Sequence, residues 1–205
     1  GTEDTYVPAA WSNEHLPQPT FDGIFESQFC ESPLDRRVVQ WMTSTMLARS
    51  ILPAKMHDRM DSMCQIIGPG GNGKTVLVGV VQIPFDRGDI GTISNNAQKQ
   101  FPLEQAVNPF TDLLKWLVVF NEITNETEIP ATDIQLAAEA TDHFVIIRKG
   151  KVPLVVHWDA TCWFTANQFF SKSIGGSMSR RMVLIRFPNQ IRQDKADGLL
   201  SERLL

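Results

Sequence analysis

Residues 63–75 read MCQIIGPGGNGKT, and this segment is the strongest indication of the fold of the chain. Its second part, Gly68 to Thr75, fits the phosphate-loop pattern G-x-x-x-x-G-K-[ST]. The apolar residues before the loop favour a β-strand, and Val76 to Val81 favour a buried helix after it. Between a strand and a helix, such a loop can direct backbone N–H groups at a polyphosphate. The sequence therefore predicts nucleotide binding, with an ordinary glycine-rich turn as the alternative.

The whole loop is predicted to line a site for ATP and Mg²⁺. Lys74 is expected to reach the β and γ phosphates, and the Thr75 hydroxyl is expected to hold the metal ion. The loop glycines allow the backbone to come close to the phosphates. The predicted nucleotide-binding residues are Gly68, Pro69, Gly70, Gly71, Asn72, Gly73, Lys74 and Thr75.

Size and composition favour one soluble α/β domain. The chain has 205 residues, of which 42% are hydrophobic and 20% are charged. No segment approaches the roughly 18 consecutive apolar residues of a membrane helix. The formal net charge of -4 requires any contact with DNA to be concentrated in a local basic element. The cysteines and histidines lack the spacing of a metal site, which favours reduced thiols and an intracellular protein.

The chain is interpreted as three consecutive parts. Residues 1–34 are expected to form an extended arm or linker, residues 35–62 an N-terminal helical segment, and residues 63–205 an ATPase core. Strands are predicted at 63–67, 90–94, 116–121, 161–166 and 182–187, and helices at 74–82, 103–115 and 131–141. This alternation predicts an α/β fold with a mostly parallel five-stranded sheet and covering helices. A β-hairpin with a basic tip is predicted between Phe144 and Trp158.

Two predicted strands end in polar residues beside the loop. Residues 116–120 lead to Asn121 and Glu122, and residues 162–165 lead to Asn167. Glu122 is the candidate for polarising the attacking water, and Asn167 for orienting that water or sensing the γ-phosphate. The alternatives are a glutamate that faces solvent and an asparagine that turns a strand into a loop.

Basic residues mark two further places. Arg180 and Arg181 precede the last strand and can present a guanidinium to a phosphate across a subunit boundary, or can form a solvated pair. The hairpin tip carries Arg148, Lys149 and Lys151, which predicts a nucleic-acid contact or an ordinary solvated turn.

The order of these motifs resembles that of superfamily 3 helicases, the ring-forming AAA+ ATPases of DNA viruses and related replicons. The loop GPGGNGKT is similar to that of poxvirus-type primase-helicases and their phage relatives. The spacing through SNNAQKQFPLEQAV and IRKGKVPLVVHWDATCWFTANQ is similar to that of parvovirus replication proteins. The resemblance covers about residues 36–190.

This resemblance implies a role for each matching position. It implies that Lys74 and Thr75 bind triphosphate and Mg²⁺, and that Glu122 belongs to the catalytic acidic site and helps to hold the metal. It makes Asn167 the sensor and Arg181 the finger that completes a neighbouring subunit's site. Many members of the family have two acids where this chain has Asn121 and Glu122. The hairpin residues implied to hold single-stranded DNA are Arg148, Lys149 and Lys151.

The resemblance implies an ATP-dependent DNA helicase that moves on single-stranded DNA during viral or replicon genome replication. It further implies a homo-oligomer, as a hexameric ring, and an upstream primase or nuclease domain. Two alternatives remain open from the residues alone. One is an ATP-binding ring-assembly protein with weak hydrolysis, which Asn121 favours, and the other is a monomeric kinase or nucleotide switch.

Overall fold

The computed structural model describes residues 19–29, 31–52, 60–94, 102–124, 131–139, 143–169 and 180–191. Four α-helices are described, and they are named in chain order: α1 Pro19–Gln28, α2 Pro33–Ile51, α3 Lys74–Gln82 and α4 Ala131–Ala138. The strands are β1 Met63–Ile67, β2 Ile90–Ser94, β3 Leu117–Asn121, β4 His143–Ile146, β5 Leu154–His157, β6 Thr161–Ala166 and β7 Met182–Arg186.

Five strands form one parallel sheet in the order β2-β3-β6-β1-β7. The strand β1 that delivers the glycine-rich loop lies between β6 and β7. Because all neighbours run in the same direction, the loops after their carboxyl ends meet at one edge of the sheet. The predicted α/β fold with a five-stranded parallel sheet is confirmed.

Both faces of the sheet are covered, which explains the continuous apolar runs of its strands. On one face, Cys64 and Ile66 of β1 pack with buried residues of α1, α2 and α3, such as Phe25, Met46 and Leu77. On the other face, residues such as Phe120 and Phe164 pack with α4 and the hairpin. The rings of Phe120 and Phe164 are stacked with centroids 4.3 Å apart, which joins β3 to β6.

The predicted extended arm is wrong for residues 19–28, which form helix α1. Phe25 is fully buried, and its ring meets Phe187 edge-to-face at 6.2 Å between centroids. Pro19 is compatible with the first turn of a helix, where its missing N–H costs no hydrogen bond. Helix α1 is therefore stabilised by packing against a residue that lies far along the chain. Residues 1–18 of the predicted arm lie outside the described residues.

The predicted helix over residues 103–115 is also wrong. A short 3₁₀ helix, Pro102–Ala106, is followed by a loop that an isolated bridge between Val107 and Leu114 closes. Pro109 has no N–H to donate and disfavours a helical conformation at Asn108, so an α-helix cannot continue there. The backbone N–H of Asn108 instead donates to Leu113 O at 2.8 Å.

The predicted hairpin is present as the antiparallel pair β4 and β5, in which His143 faces His157. Its inner side carries Ile146, which is buried against the core, whereas Val145 and Val155 are exposed on its outer side. The hairpin is therefore half embedded in the domain, and its tip, residues 148–151, extends beyond the strands.

The side chain of Gln65 is a buried polar group in the central strand. It is fully buried, and among the described residues neither its Nε2 nor its Oε1 has a hydrogen-bond partner. A buried amide without a partner costs about 1–3 kcal/mol. We therefore expect Gln65→Met, which keeps the length and loses the polar atoms, to raise the free energy of unfolding by about 1–2 kcal/mol. Urea denaturation measures this, and an unchanged or lower midpoint contradicts it.

Candidate functional site

Gly68 begins the loop at a point of close backbone approach. A Cβ at this position would lie 2.1 Å from both Asn72 Nδ2 and Phe187 O. No side chain fits in that space, because real Cβ contacts do not come under 3.0 Å. The loop can therefore leave β1 and pass under Phe187 only when residue 68 is glycine.

Asn72 is buried and fastens the loop to its surroundings. Its Nδ2 donates to Phe187 O at 2.9 Å, and its Oδ1 accepts from the Lys74 N–H at 3.3 Å. Its backbone carbonyl accepts from Gln28 Nε2 at 3.0 Å, and Gln28 Nε2 also donates to Asn189 O at 2.9 Å. The loop is thus connected both to the segment after β7 and to helix α1.

Lys74 is the first residue of α3, and its ammonium group lies inside the loop. Lys74 Nζ donates to the carbonyls of Gly68 and Pro69 at 2.6 and 2.8 Å, and to Asn72 Oδ1 at 3.2 Å. It also donates to Asn167 Oδ1 at 3.3 Å. Burial lowers the pKa of Lys74, and the nearby charge of Glu122 acts in the opposite direction. A cation held in an oxygen-lined loop is suited to bind phosphate oxygens.

Glu122 and Asn167 follow neighbouring strands and lie at the same edge as Lys74. Both side chains are exposed, as is that of Thr75 in the first turn of α3. Asn167 contacts Lys74, and the backbone N–H of Glu122 donates to Thr165, two residues before Asn167, so the three groups lie at one edge of the sheet. The structure therefore brings together the predicted residues of the nucleotide site, and their catalytic roles stay predictions.

The prediction that Arg181 is the finger needs correction. The side chain of Arg181 is buried, with Nε 3.2 Å from Asp61 Oδ2 and Nη1 2.7 Å from Glu139 Oε1. These intramolecular ion pairs hold the guanidinium inside the subunit. Arg180 is exposed, and it becomes the better candidate for reaching a neighbour.

Arg148 is likewise not available to DNA. It is buried, donates from Nη1 to Asp112 Oδ1 at 2.5 Å, and donates to Val152 O from Nε at 3.2 Å and Nη2 at 2.9 Å. Its guanidinium therefore joins the hairpin tip to the loop before β3. Lys149 and Lys151 are exposed, and Lys151 Nζ lies 3.8 Å from Asp112 Oδ1. Of the three predicted hairpin cations, two remain on the surface.

The surface beside the tip combines lysines with an aromatic ring. Phe110, on the same loop as Asp112, is 94% exposed. Lys149 and Lys115 both line a cavity of about 670 Å³ near strand β2. Burial lowers the pKa of Lys115, and Asp89 opposes that effect.

Other reactive groups offer no second site among the described residues. No three histidine, cysteine or acidic side chains cluster there as metal ligands. Cys64 and Cys162 are buried thiols, and burial raises the pKa of Cys64 well above its usual range. Within the same residues, no helix has the length and apolar character needed to cross a membrane.

Three residues that contribute to this arrangement escaped the sequence analysis. Gln28 holds the loop from a helix that was predicted to be an arm, and Asp112 neutralises Arg148. Thr165 contacts both Asn121 and Glu122 through its hydroxyl group. The position of Thr165 two residues before Asn167, on a strand beside the acidic strand, was the one signal that pointed to any of them.

Comparison with solved structures identifies the fold. Two apo structures of the NrS-1 C-terminal region align with this chain at TM-scores of 0.58 and 0.61, both at 17% sequence identity. Each alignment covers 93% of this chain and 42% or 43% of the other, so the chain spans less than half of those structures. A JCV helicase aligns at a TM-score of 0.49 and 13% identity, over 90% of this chain and 56% of the helicase.

No protein-family model matches the chain, and no curated protein sequence does. The structural similarity shows that the chain shares its α/β fold, built on a parallel five-stranded sheet, with the NrS-1 C-terminal region.

Two glycines of the loop allow a direct test of this geometry. Gly68→Ala places a methyl group against Phe187 O, and we expect it to lower the free energy of unfolding by more than about 2 kcal/mol. It should weaken nucleotide binding as well. Gly70→Ala is the matched control, because a Cβ at Gly70 meets nothing within 4 Å. Thermal unfolding of both variants measures the difference, and equal stability of the two would contradict the close approach at Gly68.

Proposed function

We propose that this chain is the ATPase domain of a DNA helicase that translocates on single-stranded DNA. The observation that carries the proposal is the convergence of Lys74, Glu122 and Asn167 at one edge of the parallel sheet. A phosphate-binding cation, a candidate base and a neutral amide are the groups that hydrolysis of a nucleoside triphosphate requires. The resemblance of the motif order to superfamily 3 helicases selects DNA translocation among the activities that such a site can drive.

The loop and its neighbours fit ATP and Mg²⁺. Gly68 leaves the backbone free of a side chain, Lys74 supplies the positive charge, and Thr75 offers a hydroxyl at the start of α3. Thr75 and Glu122 would hold Mg²⁺, which typically takes few protein oxygens and completes its shell with phosphate and water. When bound, the ion supplies charge neutralisation at the phosphates. The chain's own Glu122 would orient and deprotonate water, and Asn167 would hold it in place.

The hairpin surface is the proposed contact for single-stranded DNA. Lys149 and Lys151 offer positive charge, and Phe110 offers an exposed ring on the adjoining loop. Lysines that follow a phosphate backbone beside aromatic rings that stack on bases are typical of single-strand binding without sequence preference. Such binding weakens steeply as salt concentration rises.

The position of Arg180 favours action between subunits. Arg180 precedes the amino end of β7, whereas the phosphate loop follows the carboxyl end of the adjacent parallel strand β1. A strand of five residues is about 16 Å long, so Arg180 lies at the opposite edge from its own nucleotide site. In a ring, which we propose to be a homohexamer, Arg180 would complete the site of a neighbour.

Asn121 favours one alternative, an ATP-binding ring-assembly protein that hydrolyses slowly. The Oδ1 atom of Asn121 accepts a hydrogen bond from Thr165 at 2.8 Å, so it is occupied within the subunit. Of the two residues at the end of β3, Asn121 and Glu122, only Glu122 can therefore offer a carboxylate to the nucleotide site. Turnover with and without DNA separates the two functions, because the alternative requires binding without stimulated hydrolysis.

The DNA contact can be tested by removing both surface lysines of the tip. We expect Lys149→Ala/Lys151→Ala to abolish stimulation of the ATPase by single-stranded DNA. The slope of log affinity for an oligonucleotide against log salt should fall by about 1 for each lysine that contacts a phosphate. Fluorescence anisotropy at several salt concentrations measures that slope.

A matched control is Arg36→Ala/Arg37→Ala, which removes the same charge from helix α2, on the face of the sheet opposite the hairpin. It should leave DNA affinity close to that of the wild type. Unchanged DNA binding by the lysine variant would remove the hairpin from the proposal. A wild-type protein that binds ATP yet ignores DNA would overturn the helicase function itself, and Lys74→Ala shows whether the binding uses this loop.

The role of Arg180 can be tested by mixing subunits in the full-length protein. Arg180→Ala should lower turnover by about 10³-fold, the usual effect of losing an arginine finger. Mixed with Lys74→Ala subunits, it should regain measurable activity, because an intact loop then meets an intact arginine at some interfaces. If the mixed assemblies recover no activity, Arg180 does not act in trans. Arg181→Ala should instead lower stability, since it leaves Asp61 and Glu139 without their shared cation.

A further inference from the structure

Glu122 has a backbone conformation that needs external support. Its φ angle is +53°, in the left-handed region that residues with side chains rarely adopt. Glu122 is exposed, whereas the next residue, Ile123, is only 1% exposed. The chain therefore turns sharply at Glu122, and this turn sets the direction in which the carboxylate leaves the sheet.

Thr165 provides that support from the neighbouring strand. Its Oγ1 accepts a hydrogen bond from the Glu122 N–H at 2.9 Å, and its carbonyl accepts from the Ile123 N–H at 2.9 Å. Two successive backbone groups of the turn are thus held by one residue. Thr165 is itself only 2% exposed, so water does not compete for these bonds.

Asn121 fixes the orientation of the Thr165 hydroxyl. The hydroxyl donates its hydrogen to Asn121 Oδ1 at 2.8 Å, which leaves a lone pair for the Glu122 N–H. A hydroxyl that donates in one direction and accepts in another holds both partners in a defined geometry. The asparagine that departs from the family's pair of acids thus has a structural partner.

We propose that Thr165 is a positioning residue that aims Glu122 at the water attacking the bound nucleotide. This inference rests on the proposed ATPase function and assigns a residue that acts through another. The same strand end carries Asn167, which contacts Lys74. One strand end, β6 with the residue after it, therefore sets the positions of the candidate base and of the candidate sensor together.

If Thr165 had only a structural role, its replacement would affect turnover differently. Thr165 is buried in a central strand, where valine fits the same volume and is favoured in strands. If Thr165 served only packing, its replacement by valine would leave turnover unchanged. The hydroxyl group is therefore the property to test, with serine as the variant that keeps it.

The experiment compares Thr165→Val and Thr165→Ser in the full-length protein, with turnover measured against ATP concentration. For Thr165→Val we expect kcat to fall by about 100-fold, because misplacement of a catalytic group by about 1 Å has an effect of that size. KM should change by less than about threefold, since the loop and Lys74 are untouched. Thr165→Ser should recover most of the lost kcat.

A structural measurement accompanies the kinetics. In a crystal structure of Thr165→Val, Glu122 should leave the left-handed region, whereas in Thr165→Ser it should remain there. A valine variant that keeps wild-type kcat, or that keeps Glu122 at positive φ, overturns the assignment, as does a serine variant as impaired as valine.

ATP turnover by the wild-type protein shows whether a negative result refutes only the role of Thr165 or the proposed ATPase function as a whole. If the wild type hydrolyses no nucleotide with or without DNA, the ATPase proposal falls, and the positioning role falls with it. If the wild type turns over ATP and Thr165→Val does so equally well, only the role of Thr165 is refuted.

Discussion

The hydrogen bond from Asn72 Nδ2 to Phe187 O is the constraint on which the rest of the site depends. It holds the glycine-rich loop under the end of β7, and it leaves no room for a side chain at Gly68. The same asparagine accepts from the backbone and side chain of Lys74, which directs the ammonium group inward. One buried amide therefore fixes both the path of the loop and the position of its cation.

The parallel sheet distributes the remaining groups between two edges. At the carboxyl edge, the order β3-β6-β1 places Glu122, Asn167 and the loop on three consecutive strands. At the amino edge lie Arg180 and the junction of the hairpin with β6. In the proposed mechanism, β3 would connect the nucleotide to the hairpin tip, because the loop before that strand carries Asp112, the partner of Arg148. The fold thus places the proposed nucleotide site and the proposed site of DNA contact at opposite ends of β3.

The strands and the loop could be predicted because their signals are local. Buried strands of a parallel sheet are apolar throughout, and the phosphate loop has a fixed spacing of glycines and lysine. Helix α1 could not be predicted, since it depends on Phe187, far along the chain. The loop after residue 106 could not be predicted from apolar spacing, because Leu103, Val107, Phe110 and Leu114 fit a helix that Pro109 interrupts.

For the candidate site, the sequence predicted which strand ends lie together, but not which of its arginines are buried. Glu122 and Asn167 follow strands, so the parallel topology alone brings them to one edge. The roles of Arg148 and Arg181 were not predictable, because burial depends on partners that lie 36 and 42 positions away. In each basic pair, Arg148 with Lys149 and Arg180 with Arg181, the sequence does not reveal which residue turns inward.

Gln28 has a practical consequence for anyone who shortens this protein. A fragment that begins at helix α2 would resemble a complete phosphate-loop domain by its motifs. It would nevertheless leave the carbonyls of Asn72 and Asn189 without their shared donor, and it would uncover Phe187. The folded domain therefore includes residues from Pro19 onward, some fifty residues ahead of the first residue that touches the nucleotide in our proposal.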